Sequence, residues 1–119
     1  MATIARKNQG SVDSRWTAFS WEGLASSGDV GAAVEVGPYP DRSVQVTGSF
    51  TGGATCGFEG SNDGGATWFT LNDYAGAAIS LTAAGGSGVR EVSRMARPKL
   101  SAGSGGASVK AFLFATGAR

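Results

Sequence analysis

Within one run of eight residues, SNDGGATW, the chain sets Ser61, Asp63, Gly65, Thr67 and Trp68, with Glu59 just ahead of them. Two carboxylates this close in sequence suggest the acid and base of a glycosidase. Asp63 alone suggests a contact to calcium or a sugar. The spacing favours a simpler use. An Asp side chain accepts hydrogen bonds from the amides of its own turn. Gly64 and Gly65 adopt positive φ without a steric cost, and Trp68 lays a large apolar surface over the base of the hairpin. Glu59 then reads as a solvated strand residue. Ser61, Asp63, Gly65, Thr67 and Trp68 are expected to form a structural turn, because catalytic clefts need longer loops than these.

The remaining inventory is thin. There is no histidine, which excludes a His-based metal site, a Ser-His-Asp triad and a Cys-His dyad within one chain. Cys56, the one cysteine, sits among alternating small and apolar residues in GATCGF and reads as a buried thiol. Arg90, Arg94, Arg97 and Lys99 form a basic cluster. On a strand Arg90 and Arg94 share one parity while Arg97 and Lys99 share the other, so no single basic face is implied. With a net charge of +1, nucleic acid and anionic membranes are not expected partners. No catalytic residue, metal ligand or cofactor is assigned, and the chain is expected not to be an enzyme.

The elements that would position these residues are strands. Gly supplies 20 of 119 residues, which argues against a helical bundle, and the length suits one domain. RWTAFSWEGL (15–24) alternates Thr17, Phe19 and Trp21 against Trp16, Ala18 and Ser20. AAVEVG (32–37) is a short strand, punctuated by PYPD. RSVQVTGSF (42–50) puts Val44, Val46, Gly48 and Phe50 on one face. ATCGFEGS (54–61), TWFTLN (67–72) and AAISLTA (77–83) follow. VREVSRMARPKLS (89–101) is broken or placed at an edge by Pro98. SVKAFLFAT (108–116) turns Val109, Ala111, Leu113 and Ala115 one way, and Phe112 and Phe114 the other. Eight short strands with Gly-rich turns predict an all-β antiparallel β-sandwich or jelly roll. Residues 15–119 are expected to form that single domain and residues 1–14 a flexible, extended N-terminal arm. No signal-peptide core or membrane-length apolar run is read, so synthesis in a cytoplasm is expected.

The order of segments resembles that of small structural proteins of tailed bacteriophages. The resembling stretch is VQVTGSFTGGATCGFEGSNDGGATWFTLND, then AISLTAAG, then VREVSRMARPKLSAGSGGASVKAFLF, about residues 44–114. SNDGGATW is also similar to the Asp box, a hairpin turn that recurs on sialidase blades. The phage resemblance implies a virion structural protein, here a capsid decoration (cement) protein that binds the major capsid protein and stabilises its lattice. It implies a homo-oligomer, a dimer or trimer, on the capsid surface. The alternative is a tail- or fibre-associated β-module that binds carbohydrate or another tail protein. Partner contacts are expected at Ile4, Arg6 and Lys7 of the arm and at Trp16 and Trp21, because aromatics on both faces of one strand are hard to hide around a single core.

Overall fold

The computed structural model describes residues 2–10 and 15–117. Those residues form strands β1 (Thr3–Ile4), β2 (Arg6–Gly10), β3 (Trp16–Ser26), β4 (Val30–Gly31), β5 (Val34–Glu35), β6 (Asp41–Ser49), β7 (Thr55–Ser61), β8 (Phe69–Thr70), β9 (Gly85–Gly88), β10 (Met95–Ala102) and β11 (Ser104–Thr116). Two sheets face each other. One runs β1-β4-β10-β7-β8, with β5 also on β10; the other runs β2-β3-β11-β6-β9. All pairings are antiparallel except β1 with β4. The fold is the expected all-β sandwich.

Side-chain alternation fills the space between the sheets. Trp21, Val44, Val46, Val109, Ala111 and Leu113 enter from the five-stranded sheet, and Cys56, Phe58, Ala96 and Leu100 from the other. Trp21 is fully buried, and its Nε1–H donates to the carbonyl of Ala32 at 2.9 Å. Gly31 is confined between two rings: a Cβ there would meet Pro98 Cδ and Trp21 Cδ1, each at 2.6 Å.

Pro98 lies inside β10, opposite Phe58 of β7, and not at an edge. On the other side of β10 run β4, opposite Lys99, and β5, opposite Met95 and Ala96. The amide of Leu100 donates to Asp29 on that side. Pro98, two residues earlier, therefore directs its missing N–H into the break between β4 and β5, where no ladder bond is lost.

Residues 3–10, expected in a free arm, are extended and are built into the sandwich. β1 pairs with β4, and Val30 and Ala32 donate their amides to the carbonyls of Ala2 and Ile4. The chain then crosses at Ala5 to the other sheet, where Arg6 lies opposite Trp21 and Asn8 opposite Phe19. The sequence hides this because RKNQG has no apolar alternation; backbone pairing to an existing edge places it. Met1 and residues 11–14 of the expected arm lie outside the described residues.

Candidate interaction face

The outward parity of β3 and β11 builds an apolar row on the five-stranded sheet. Trp16 lies opposite Thr116, Ala18 opposite Phe114, and Ser20 opposite Phe112. The Trp16 and Phe114 ring centroids are 5.7 Å apart at 31°. Phe114 is 44% exposed. Across β6 the row continues: Phe114 faces Ser43, Ser43 faces Gly88 of β9, and the ring of Tyr74 occupies the space a Gly88 side chain would need. Tyr74 is 67% exposed. A slot of about 200 Å³ opens here, lined by Phe114, Tyr74, Ser43, Thr116, Asp41 and Arg42.

Charges gather at the other end of the face. Lys7 Nζ lies 2.7 Å and Lys110 Nζ 3.9 Å from the Glu22 carboxylate. The hydrogen bond from Lys7, helped by the charge of Lys110, draws the Glu22 carboxyl below its ordinary range. Lys110 also sits 5.0 Å from the Phe112 ring.

The residues expected to meet a partner thus divide. Trp16 borders the exposed row. Trp21 does not: it lies in the core, because strand parity turns it toward the opposite sheet. Ile4 packs against the core from β1. Arg6 lies 5.6 Å over the Phe19 ring, and Lys7 is bound to Glu22, both exposed along the β2 edge. Parity in SVKAFLFAT signals Phe112 and Phe114. Nothing local signals Tyr74, which reaches the face from a loop.

Beneath the slot, Arg42 is 3% exposed and makes no ion pair among the described residues. Its guanidinium donates to the carbonyls of Tyr39 (2.8 Å), Val36 (2.7 Å) and Ser93, and to Ser93 Oγ at 3.1 Å. Burial lowers its pKa, and the group stays a cation. It fastens the Val36–Tyr39 loop and the segment before β10 to the base of β6.

The SNDGGATW turn is closed by its own side chains. Ser61 Oγ donates to Asp63 Oδ1 at 2.8 Å and accepts from the Gly65 amide at 3.0 Å. The Thr67 hydroxyl donates to Asp63 Oδ2, and the Thr67 amide to Oδ1 at 3.0 Å. Trp68 Nε1–H donates to the Gly65 carbonyl at 3.1 Å. Gly64 and Gly65 have φ of 78° and 93°. These bonds, the Thr67 hydroxyl first, hold the Asp63 carboxyl far below the usual range.

Glu59 is not poised as a partner for Asp63. It takes Arg97 at 2.9 Å and Lys99 at 3.6 Å, and the Arg97 guanidinium lies 4.0 Å over the Trp68 ring. A second groove of about 220 Å³ runs past Glu59 and Lys99 over Gly57, roofed by Ile79 and Ser80. Arg94 pairs instead with Glu35 at 3.2 Å, so the basic cluster is largely answered within the chain. Among the described residues no three His, Cys, Asp or Glu side chains converge on a possible metal position.

No protein-family model matches the chain, and no curated protein matches it. Solved structures are similar in fold. YomS, an SPBc2 prophage-derived protein, is 15% identical with a TM-score of 0.56, over 88% of this chain and 99% of YomS. The Schizosaccharomyces pombe Cnp3 cupin domain is 11% identical with a TM-score of 0.43, over 93% of this chain. The match spans 59% of that domain's length. An RmlC-like cupin protein from Desulfovibrio desulfuricans is 11% identical with a TM-score of 0.43, over 93% of this chain and 81% of the cupin. The likeness to the prophage-derived protein is one of fold. None of the three supports the similarity of the turn to Asp boxes.

Proposed function

We propose that this chain is a virion structural protein of a tailed phage, a capsid decoration protein that binds and stabilises the major capsid lattice as a homo-oligomer, without catalysis. The observation that carries the reading is the Trp16–Phe114 row on the outer face of a sandwich whose core is already filled. Apolar rows of this kind, rimmed by charges, mark protein contacts. The matching length and fold of a prophage-derived protein fit it, as does the resemblance over residues 44–114. With Ile4 packed inward and Lys7 engaged by Glu22, the sheet face replaces the arm as the main grip. Co-sedimentation with undecorated capsids tests this. The parent should saturate the particles, and Phe114→Glu, folded by circular dichroism, should not. Equal occupancy by the two proteins would overturn the sheet-face contact, and no binding by the parent would overturn the capsid role.

A tail- or fibre-associated module that binds carbohydrate is the second reading, favoured by the exposure of Tyr74 and Phe114 beside polar groups. Binding to isolated tails, with none to capsids, would support it.

A further inference from the structure

We infer that the slot between Phe114 and Tyr74 is a saccharide site that takes one neutral six-membered sugar ring, with Trp16 bordering a second, weaker position. The inference rests on the outer face being a binding surface, not on where in the virion the chain sits. Three observations carry it.

The first is placement. Phe114 stands on β11 and Tyr74 over Gly88 of β9, with Ser43 of β6 between them in register, so two aromatic rings flank one slot. The volume, about 200 Å³, falls below the roughly 300–1,000 Å³ of sites for drug-sized molecules.

The second is the division of chemistry. Two aromatic residues, Phe114 and Tyr74, line the slot, and aromatic rings suit the C–H face of a sugar. Ser43, Thr116 and Asp41 line it beside them. Thr116 Oγ1 donates to the Arg15 carbonyl at 2.8 Å, which leaves its oxygen to accept from a sugar hydroxyl. An apolar guest would strand these polar groups.

The third is preorganisation. The buried Arg42 guanidinium ties the base of β6 to two loops through four hydrogen bonds, so Asp41 and Ser43 on either side of it are fixed in place. Gly88 makes room for the Tyr74 ring. A rigid site loses less entropy on binding. One shallow sugar binds weakly.

The test is an amide ¹H–¹⁵N titration of the isolated protein with glucose, galactose, mannose and N-acetylglucosamine at millimolar concentrations. At least one sugar should shift the amides of Ser43, Tyr74, Gly88 and Phe114. Phe114→Ala and Tyr74→Ala should weaken that response about tenfold or more, which is about 1.4 kcal/mol. Gly88→Ala should do the same by evicting Tyr74 while Phe114 stays. Val92→Ala, at an exposed residue outside the slot's lining, should leave it unchanged. No response to any of the four sugars, or an undiminished response in Phe114→Ala and Tyr74→Ala, would overturn the inference. Capsid sedimentation is independent of this readout, so the two proposals fail separately.

Discussion

The carboxylate of Asp29 accepts the backbone amide of Ala2 at 2.9 Å, across 27 residues of sequence. Its other oxygen accepts the amides of Ala25 and Ser26, each at 3.0 Å. One buried side chain thus closes the turn between β3 and β4 and fastens the start of the chain to it. The Ala25 amide is the largest of several influences that leave its pKa lowered. A lowered folded pKa gives stability that is present above the unfolded value, about 3.9, and lost as pH falls through the folded value. Asp29→Ala is expected to cost about 1–3 kcal/mol at neutral pH, and less in acid. Amide exchange at Val30 and Ala32 should rise first, because those amides bond to Ala2 and Ile4; unchanged exchange there would contradict the clamp.

Removing residues 2–10 should destabilise the domain. The deletion strips β2 from β3 and β1 from β4, with several ladder bonds worth about 1 kcal/mol each. It also bares the β3 edge to pairing with other chains. A lower melting temperature and concentration-dependent association are expected. A truncated protein that melts like the parent would show that β1 and β2 add nothing to the sandwich.

The Asp63 turn makes an acid-dependent contribution. Its lowered carboxyl pKa means that the stabilisation is complete above about pH 3.9 and lost as pH falls below that value. Asp63→Ala should melt below the parent at neutral pH, and the gap should close in strong acid. Trp68 is only partly covered. Trp68→Ala should therefore cost about 1–2 kcal/mol, less than the roughly 3–5 kcal/mol of a core aromatic. A gap that persists unchanged into strong acid would remove the carboxylate from the account.

Period-two alternation made the long strands legible. Val44 and Val46 point in while Ser43 and Gln45 point out, and Leu113 points in between outward Phe112 and Phe114. Three features were not legible. GGSG is strand β9, held by β6 through backbone pairing alone, so no side-chain pattern announces it. AAISLTA alternates like a strand, yet it makes only the isolated bridges Cys56–Leu81 and Asn72–Ala78. Residues 89–94 also alternate, but β10 begins at Met95. Before it the backbone bonds scatter over separate partners instead of one strand: the Val89 amide donates to Arg42, the Arg90 amide to Asn72, and Asn62 Oδ1 accepts the Arg94 amide. The slot was invisible for the same reason, since Tyr74 and Phe114 are brought to one slot only by three strands in register.

The Cys56 thiol should react only on unfolding. It is fully buried, and burial pushes its pKa up to about 12, so almost no thiolate exists at neutral pH. Its reaction with a disulfide reagent should track the global unfolding rate across denaturant concentrations. A fast phase in native buffer would reveal a local opening between β7 and β10.

Trp16 and Trp21 should separate stability from association. Five residues apart on β3, they face opposite sides of one sheet. Trp21 is fully buried, wedged against Gly31 and bonded to Ala32. Trp21→Ala should leave a cavity and cost about 3–5 kcal/mol. Trp21→Phe, which keeps the apolar bulk but strands the Ala32 carbonyl, should cost less. Trp16 rests on Phe114 at the outer face, only partly covered, so Trp16→Ala should cost about 1 kcal/mol or less. Its effect should appear in binding, as weaker co-sedimentation with particles under conditions where the domain stays folded. Chemical denaturation gives the first quantity, and sedimentation at matched salt the second. If Trp16→Ala destabilised the fold as much as Trp21→Ala and bound particles like the parent, the outer row would be part of the core rather than a contact surface.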